Sequence, residues 1–268
     1  FVDSDDYIDK NALLNFANCV VRYKEPDIIA AQAYSVNWDG NVKLKCKDHH
    51  HIEGILSGRA FWETAIKANE IFACAPFYAY KNVASTVAAA DISIINQETI
   101  IDPEKAPSTY PCFNSPTELG DEMVKIGFDV FNIANNHSLD KGESGLRNAI
   151  KFWKSKNVVF CGAYLDEEDY KTIPTNTVKG IKFAYVGLTE PTNGLNLPEG
   201  SKTILMLGAD EDRIEKRVKA ASEISDMTIV NVHWGEEDTH TPTDRQHELA
   251  QKLADWGADI IIGTHPHV

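Results

Sequence analysis

The chain lacks any apolar run near the roughly 20 residues that a membrane-spanning helix needs. It has no C-x-x-C pair. Cys19, Cys46, Cys74, Cys112 and Cys161 are scattered and odd in number, which argues against a zinc knuckle or a disulfide framework and reads as mostly buried thiols. Positive charge is scarce: 26 Lys and Arg stand against 40 Asp and Glu, a formal net charge of −14. With no counterion-release term to gain, nucleic acid or an anionic membrane surface is disfavoured as the main partner. An anionic substrate stays open, because a bound metal can invert the local field. The opening stretch FVDSDDYIDK is acidic where a cleavable signal would be basic. Internal repeats and low-complexity linkers are also missing. What is present, 43% hydrophobic and 25% charged residues over 268 positions, fits a soluble globular protein with one large α/β domain or two small ones.

Residues 1–41 read as an N-terminal extension with a helical pattern around Ala12 to Val21. From Val42, strands and helices alternate. Period-two or fully apolar strands are predicted at VKLKC (42–46), ISII (92–95), VFNI (130–133), VVFCG (158–162), MTIVNV (227–232) and DIIIG (259–263). Helices are predicted at 115–127, 143–156, 210–224 and 242–257. The first should have Ser115 as its cap, Glu118 closing a capping box and Gly127 as its stop; the third reads as exposed. A hairpin over 177–188 turns near Lys179-Gly180. Repeated β-then-α order argues for a layered α/β domain, and the hairpin makes its sheets mixed.

The unusual polar residues share one position, just past the carboxyl ends of five predicted strands. These are Asp48-His49-His50-His51, Asn96-Gln97-Glu98, Asn135-Asn136-His137, His233-Trp234-Gly235-Glu236 and Gly263-Thr264-His265-Pro266-His267. In α/β folds that edge binds ligands. Seven of the nine histidines fall there, while His240 and His247 read as loop and helix-surface residues. Imidazole, carboxylate and amide oxygen without thiolate suit Mn, Fe or Zn in a reactive site. With Asp48, Glu98, Asn136 and several histidines there are donors for two ions, and a carboxylate such as Glu98 can bridge them. Two ions would clamp a phosphate-like oxygen and generate hydroxide at neutral pH. His137 is then placed to protonate a leaving group. Asp140 either orients that imidazole or caps the helix starting near Glu143.

DISIINQE (91–98), YPCFNSP (110–116), GFDVFNIANNHSLDKGESGL (127–146), HWGEE (233–237) and ADIIIGTHPHV (258–268) together resemble the CapA (PgsA) family of poly-γ-glutamate capsule synthesis proteins, within the calcineurin-like metallophosphatase superfamily. The resemblance covers roughly Glu53 to Val268. It implies a four-layer αββα fold for a domain over 42–268, with Glu98, Asn136, His233, His265 and His267 as metal ligands and His137 as the catalytic acid. It also implies a metal-dependent hydrolase or a non-enzymatic capsule factor. The substrate would be an anionic polymer or phosphoester, and the partners other capsule-synthesis membrane proteins. The place implied is the extracellular face of a bacterial membrane, with membrane contact only through a segment outside this chain.

Two departures stand out. The family's first motif places a metal-binding Asp after Gly, and no Gly-Asp occurs here. Asp48-His49-His50 fits as the superfamily's D-x-H, which would make Asp48 and His50 ligands. GILSGRAFWETA (54–65) instead resembles the segment that follows this motif, which would put Glu53-Gly54 in the column. A solvated loop is a third reading of the histidine run. Family members also continue past HPHV, whereas this chain stops at Val268, so the resemblance implies a domain shortened at its C-terminus.

Overall fold

In a computed structural model of the chain, the described residues are 83–267, together with the backbone of two short strands, β1 (Ala31–Gln32) and β2 (Lys45–Cys46), which pair antiparallel. The chain divides into two compact units; β1 and β2 belong to one, and residues 83–268 make up nearly all of the other. β2 is the described part of the strand expected at 42–46. Asp48, His49, His50, His51 and Glu53 lie outside the described residues, so the first-motif assignment is not addressed by the fold. No helix among the described residues is long and apolar enough to cross a membrane.

Two main sheets and one two-stranded sheet build the second unit. In the first, β3 (Ile94–Asn96), β4 (Val130–Asn132) and β5 (Val159–Cys161) run parallel in that order, with Ile94 beside Val130 and Val130 beside Val159. Helices α1 (Thr117–Ile126) and α2 (Gly142–Lys154) make the crossovers. β5 leads through β6 (Ala163–Tyr164) and the short α3 (Glu167–Lys171) into the second sheet. There β7 (Thr175–Val178) and β8 (Ile181–Thr189) form the expected hairpin, turning on Lys179 and Gly180, both at positive φ as such two-residue turns require. β9 (Ile204–Leu205) pairs back on β6. After α4 (Glu211–Ile224), β10 (Met227–His233) joins parallel to β8; after α5 (Asp244–Asp255), β11 (Ile260–Thr264) joins parallel to β10.

Period two sorts the side chains into layers. On β8 and β10, Ala184, Val186, Leu188, Val230 and Val232 share a core with Ile214, Val218 and Ala221 of α4 and with Leu249 and Leu253 of α5. The alternate residues Tyr185 and Ile229 instead meet Val130 and Cys161 of the first sheet. On the far side of that sheet, Phe131 stacks on Trp153 of α2 with ring centroids 4.3 Å apart. Helix, sheet, sheet and helix therefore form the αββα sandwich expected.

The two main sheets approach each other closely at Gly187. A Cβ there would lie 2.3 Å from Asn132 Oδ1 and 2.9 Å from Cys161 Sγ, so no side chain fits between the layers. Gly187→Ala is expected to destabilise by about 1–3 kcal/mol through overpacking, read as a lower urea midpoint; an unchanged midpoint would contradict this account of the contact. Burial pushes the Cys161 thiol up to about 12, leaving it protonated at neutral pH, whereas Cys112 is exposed.

Two local expectations change and one open alternative is decided. Helix α1 starts after Pro116 with no side-chain cap. Ser115 Oγ lies 2.6 Å from Thr99 Oγ1 and its N–H donates to the Ile100 carbonyl, so the loop after β3 engages the hydroxyl expected to cap. Gly127 does stop the helix, at φ 113°. Helix α4 is not simply exposed, since Ile214, Arg217, Val218 and Ala221 are buried. Arg217 is accommodated because the carbonyls of Tyr170 and Thr172 and the Tyr164 hydroxyl accept its protons, while both tyrosine rings face its guanidinium. Finally, Asp140 does not cap α2, whose N-cap is Lys141.

Candidate metal centre

β3, β4, β10 and β11 all end at one edge, each followed by a polar cluster. His233 is the last residue of β10 and is fully buried, as is Glu98 just past β3. Its Nε2 lies 3.1 Å from Asn136 Oδ1, contributed by the loop after β4, and 3.3 Å from Glu98 Oε1. His265, past β11, packs its ring 4.6 Å from that of His233. One donor atom each from Glu98, His233 and His265 lie within 4.8 Å of one another. Two donors each about 2.1 Å from one ion stand roughly 3.0–3.4 Å apart in octahedral or tetrahedral geometry. The spacings of His233 Nε2 from Asn136 and Glu98 fall in that range, so the oxygen and nitrogen donors present fit a divalent cation.

Local chemistry holds each donor in place. Past Nε2, the other ring nitrogen of His233 sits 3.0 Å from Thr264 Oγ1, at the end of the neighbouring strand, and 3.3 Å from Asn96 Nδ2. A proton on Nδ1 shared with Thr264 leaves Nε2 with its lone pair facing the carboxylate and amide oxygens. Asn96 Nδ2 donates to Glu98 Oε2 at 2.8 Å, which orients the carboxylate. Asn132 steadies Asn96 in turn, donating to its Oδ1 at 3.2 Å. The loop that carries Asn136 is braced by its neighbour. The Asn135 side chain accepts the His137 N–H at 3.1 Å and donates to the Gln97 carbonyl at 2.9 Å, while its main-chain N–H donates to Ser138 Oγ at 2.8 Å. Asn135 thus holds the loop while Asn136 faces the cluster. His265 and His267 both have left-handed backbones, φ 103° and 55°. Such conformations cost a non-glycine residue roughly 1–3 kcal/mol each and concentrate at functional sites.

Next to Asn136, His137 Nδ1 lies 2.8 Å from Asp140 Oδ2. The same oxygen accepts the Phe113 N–H at 2.7 Å, and the Phe113 ring meets the imidazole edge-on at 4.7 Å. Asp140 therefore acts on His137 and not on the helix, and Phe113 covers one side of the ring.

The structure thus brings together Glu98, Asn136, His233 and His265, with His267 beside His265 at a ring separation of 5.9 Å. His137 and Asp140 pair next to them. Asp48 and His50 lie outside the described residues. Glu237, one of the acids of HWGEE and not among the expected ligands, groups with His265 and His267 with donor atoms mutually within 4.8 Å. His240 and His247 are exposed, as expected. A cleft of about 730 Å³ elsewhere, lined by Asp166, Lys171, Ser201 and Arg213 among others, contains none of these groups.

Residues 49–268 match the family model of the bacterial capsule synthesis protein PGA_cap. The chain is 36% identical over 152 residues to the capsule biosynthesis protein CapA of Bacillus anthracis, covering 54% of this chain and 36% of that protein. It is 35% identical over 152 residues to the PGA biosynthesis protein CapA of Bacillus subtilis, covering 55% and 40% respectively. The matched stretch thus spans well under half of either relative. A solved Staphylococcus aureus protein provisionally named a 5'-nucleotidase, in complex with alpha-ketoglutarate, aligns at 18% identity with a TM-score of 0.40, over 56% of this chain and 31% of that one. That likeness is slight, and the fold assignment rests on the layers described above. From the family match over most of its length, this chain belongs to the bacterial capsule synthesis protein (PGA_cap) family.

Proposed function

We propose that this chain is a metal-dependent hydrolase of the phosphoesterase type that works in capsule biosynthesis at the bacterial cell envelope. The carrying observation is His233 Nε2 placed 3.1 Å from Asn136 Oδ1 and 3.3 Å from Glu98 Oε1, beside the buried His137–Asp140 pair. Glu98, Asn136, His233, His265 and His267 would hold two divalent ions, Mn, Fe or Zn, with Asp48 and His50 as further ligands. Such ions supply a hydroxide at neutral pH and neutralise charge on a phosphate-like oxygen. His137, with Nδ1 held by Asp140, would deliver a proton from Nε2 to the leaving oxygen. Phe113 excludes water from one side of that imidazole. A chain of net charge −14 needs such cations to accept an anionic substrate. The envelope location, at the extracellular face of the membrane, and contact with other capsule-synthesis membrane proteins are drawn from the family.

The test is hydrolysis by the Mn²⁺-loaded chain of p-nitrophenyl phosphate, its bis-ester and a γ-glutamyl peptide. Release of nitrophenol that chelation abolishes is the expected result. Cleavage of the peptide alone would replace the phosphoesterase with a γ-glutamyl amide hydrolase acting through the same centre. Inertness of the metal-loaded protein on all three would count against any hydrolase.

A second reading is a non-enzymatic factor in poly-γ-glutamate assembly or export. The names of the two CapA relatives describe biosynthesis and name no hydrolysis, which is compatible with it. Polymer binding without cleavage, indifferent to His137→Ala, would select it.

A further inference from the structure

Past β10 the chain turns at Gly235, φ 96°, and runs through Glu236, Glu237 and Asp238. Asp238 is itself left-handed, φ 59°, and its N–H donates to the Pro266 carbonyl at 2.8 Å. This bond ties the loop to the turn between His265 and His267 and carries Glu237 against both imidazoles. Glu237 Oε1 lies 3.9 Å from His265 Nε2. That is beyond the roughly 3.2 Å limit of a good hydrogen bond. It is within the roughly 4.2 Å that two metal–ligand bonds of about 2.1 Å can span. The Glu237 side chain is 56% exposed whereas that of His265 is 7% exposed, so the carboxylate stands on the solvent side of the cluster.

We propose that Glu237 is a ligand to a second, outer divalent cation, held with His267 and His265. The proposal rests on the metal-centre reading above and adds a donor to it. A neutral imidazole offers one lone pair, so His265 serves the inner or the outer ion at any moment, while Glu237 and His267 define the outer position. One carboxylate with imidazole suits a first-row divalent cation such as Mn²⁺ or Zn²⁺. Because Glu237 is exposed, the outer ion is hydrated and more weakly held than the inner one, which sits among fully buried donors.

Mn²⁺ titration calorimetry with elemental analysis on the 268-residue chain tests this without any substrate. The wild type should take up two ions of unequal affinity. Glu237→Gln should weaken the lower-affinity ion by at least about tenfold, the scale on which even indirect supports of a ligand act, and leave the tighter ion unchanged. Glu236→Gln, the same charge loss one residue away, should bind as the wild type does. Two ions of unaltered affinity in Glu237→Gln would overturn the proposal and leave the metal centre standing. So would equal weakening by both substitutions, which would mark a general charge effect. A wild type that binds no Mn²⁺ would overturn both the proposal and the metal centre beneath it.

Discussion

His137→Ala is expected to lower turnover by about 10²–10⁴-fold, the usual contribution of a positioned general acid, with metal content unchanged. The separation of the two effects follows from position. His137 directs Nδ1 to Asp140, whereas the cluster of donors within 4.8 Å comprises Glu98, His233 and His265. The main-chain hydrogen bonds that shape the loop come from Asn135 and Ser138 and do not need the imidazole. Steady-state kinetics alongside elemental analysis checks this. Equal loss of metal and activity would make His137 a ligand, and unchanged turnover would remove it from the chemistry. Because the acid must be protonated, substrates with better leaving groups should be less affected by the substitution.

Trp153→Ala should cost about 3–5 kcal/mol of stability, the range for deleting a large buried aromatic. Trp153 is almost wholly buried, stacked on Phe131 and edge-on to Phe152 at 5.0 Å. It also lines the same small void as Glu98, Ile133 and Asn135, so the loss reaches the back of the candidate metal site. Urea unfolding followed by circular dichroism measures the first effect, and Mn²⁺ affinity of the folded variant measures the second. A cost below about 1 kcal/mol would mean that α2 packs on the sheet through other contacts.

Much of this arrangement is legible in the chain itself, for reasons that are local. Strands such as MTIVNV are β-branched and apolar, and their polar sequels stand out because buried runs do not end on His or Asn without cause. Gly127 and the Lys179-Gly180 turn are readable because each needs a backbone conformation that few residues adopt readily. Leu146, Ile150 and Trp153 recur at helical spacing and are buried as that spacing implies.

The expectations that changed, and the alternative left open at Asp140, turn on contacts distant along the chain. Ser115 and Glu118 have the pattern of a capping box, yet Thr99 lies against the Ser115 hydroxyl from the loop after β3. Asp140 has two plausible local roles. The choice between them is made by Phe113, 27 residues earlier, whose N–H fixes the carboxylate against His137. Arg217 reads as a solvent-facing charge until Tyr164 and Tyr170 close around it. Glu237 is one acid among many in the sequence. Only the Asp238–Pro266 bond between two loops places it beside the histidines.

The central claim is that Glu98, Asn136 and His233 converge on a metal position. Anomalous scattering from crystals of the chain soaked in Mn²⁺ tests it most directly. The account predicts a manganese peak bonded to His233 Nε2, Asn136 Oδ1 and Glu98 Oε1. A saturated protein whose manganese peaks all lie away from these three atoms would contradict it.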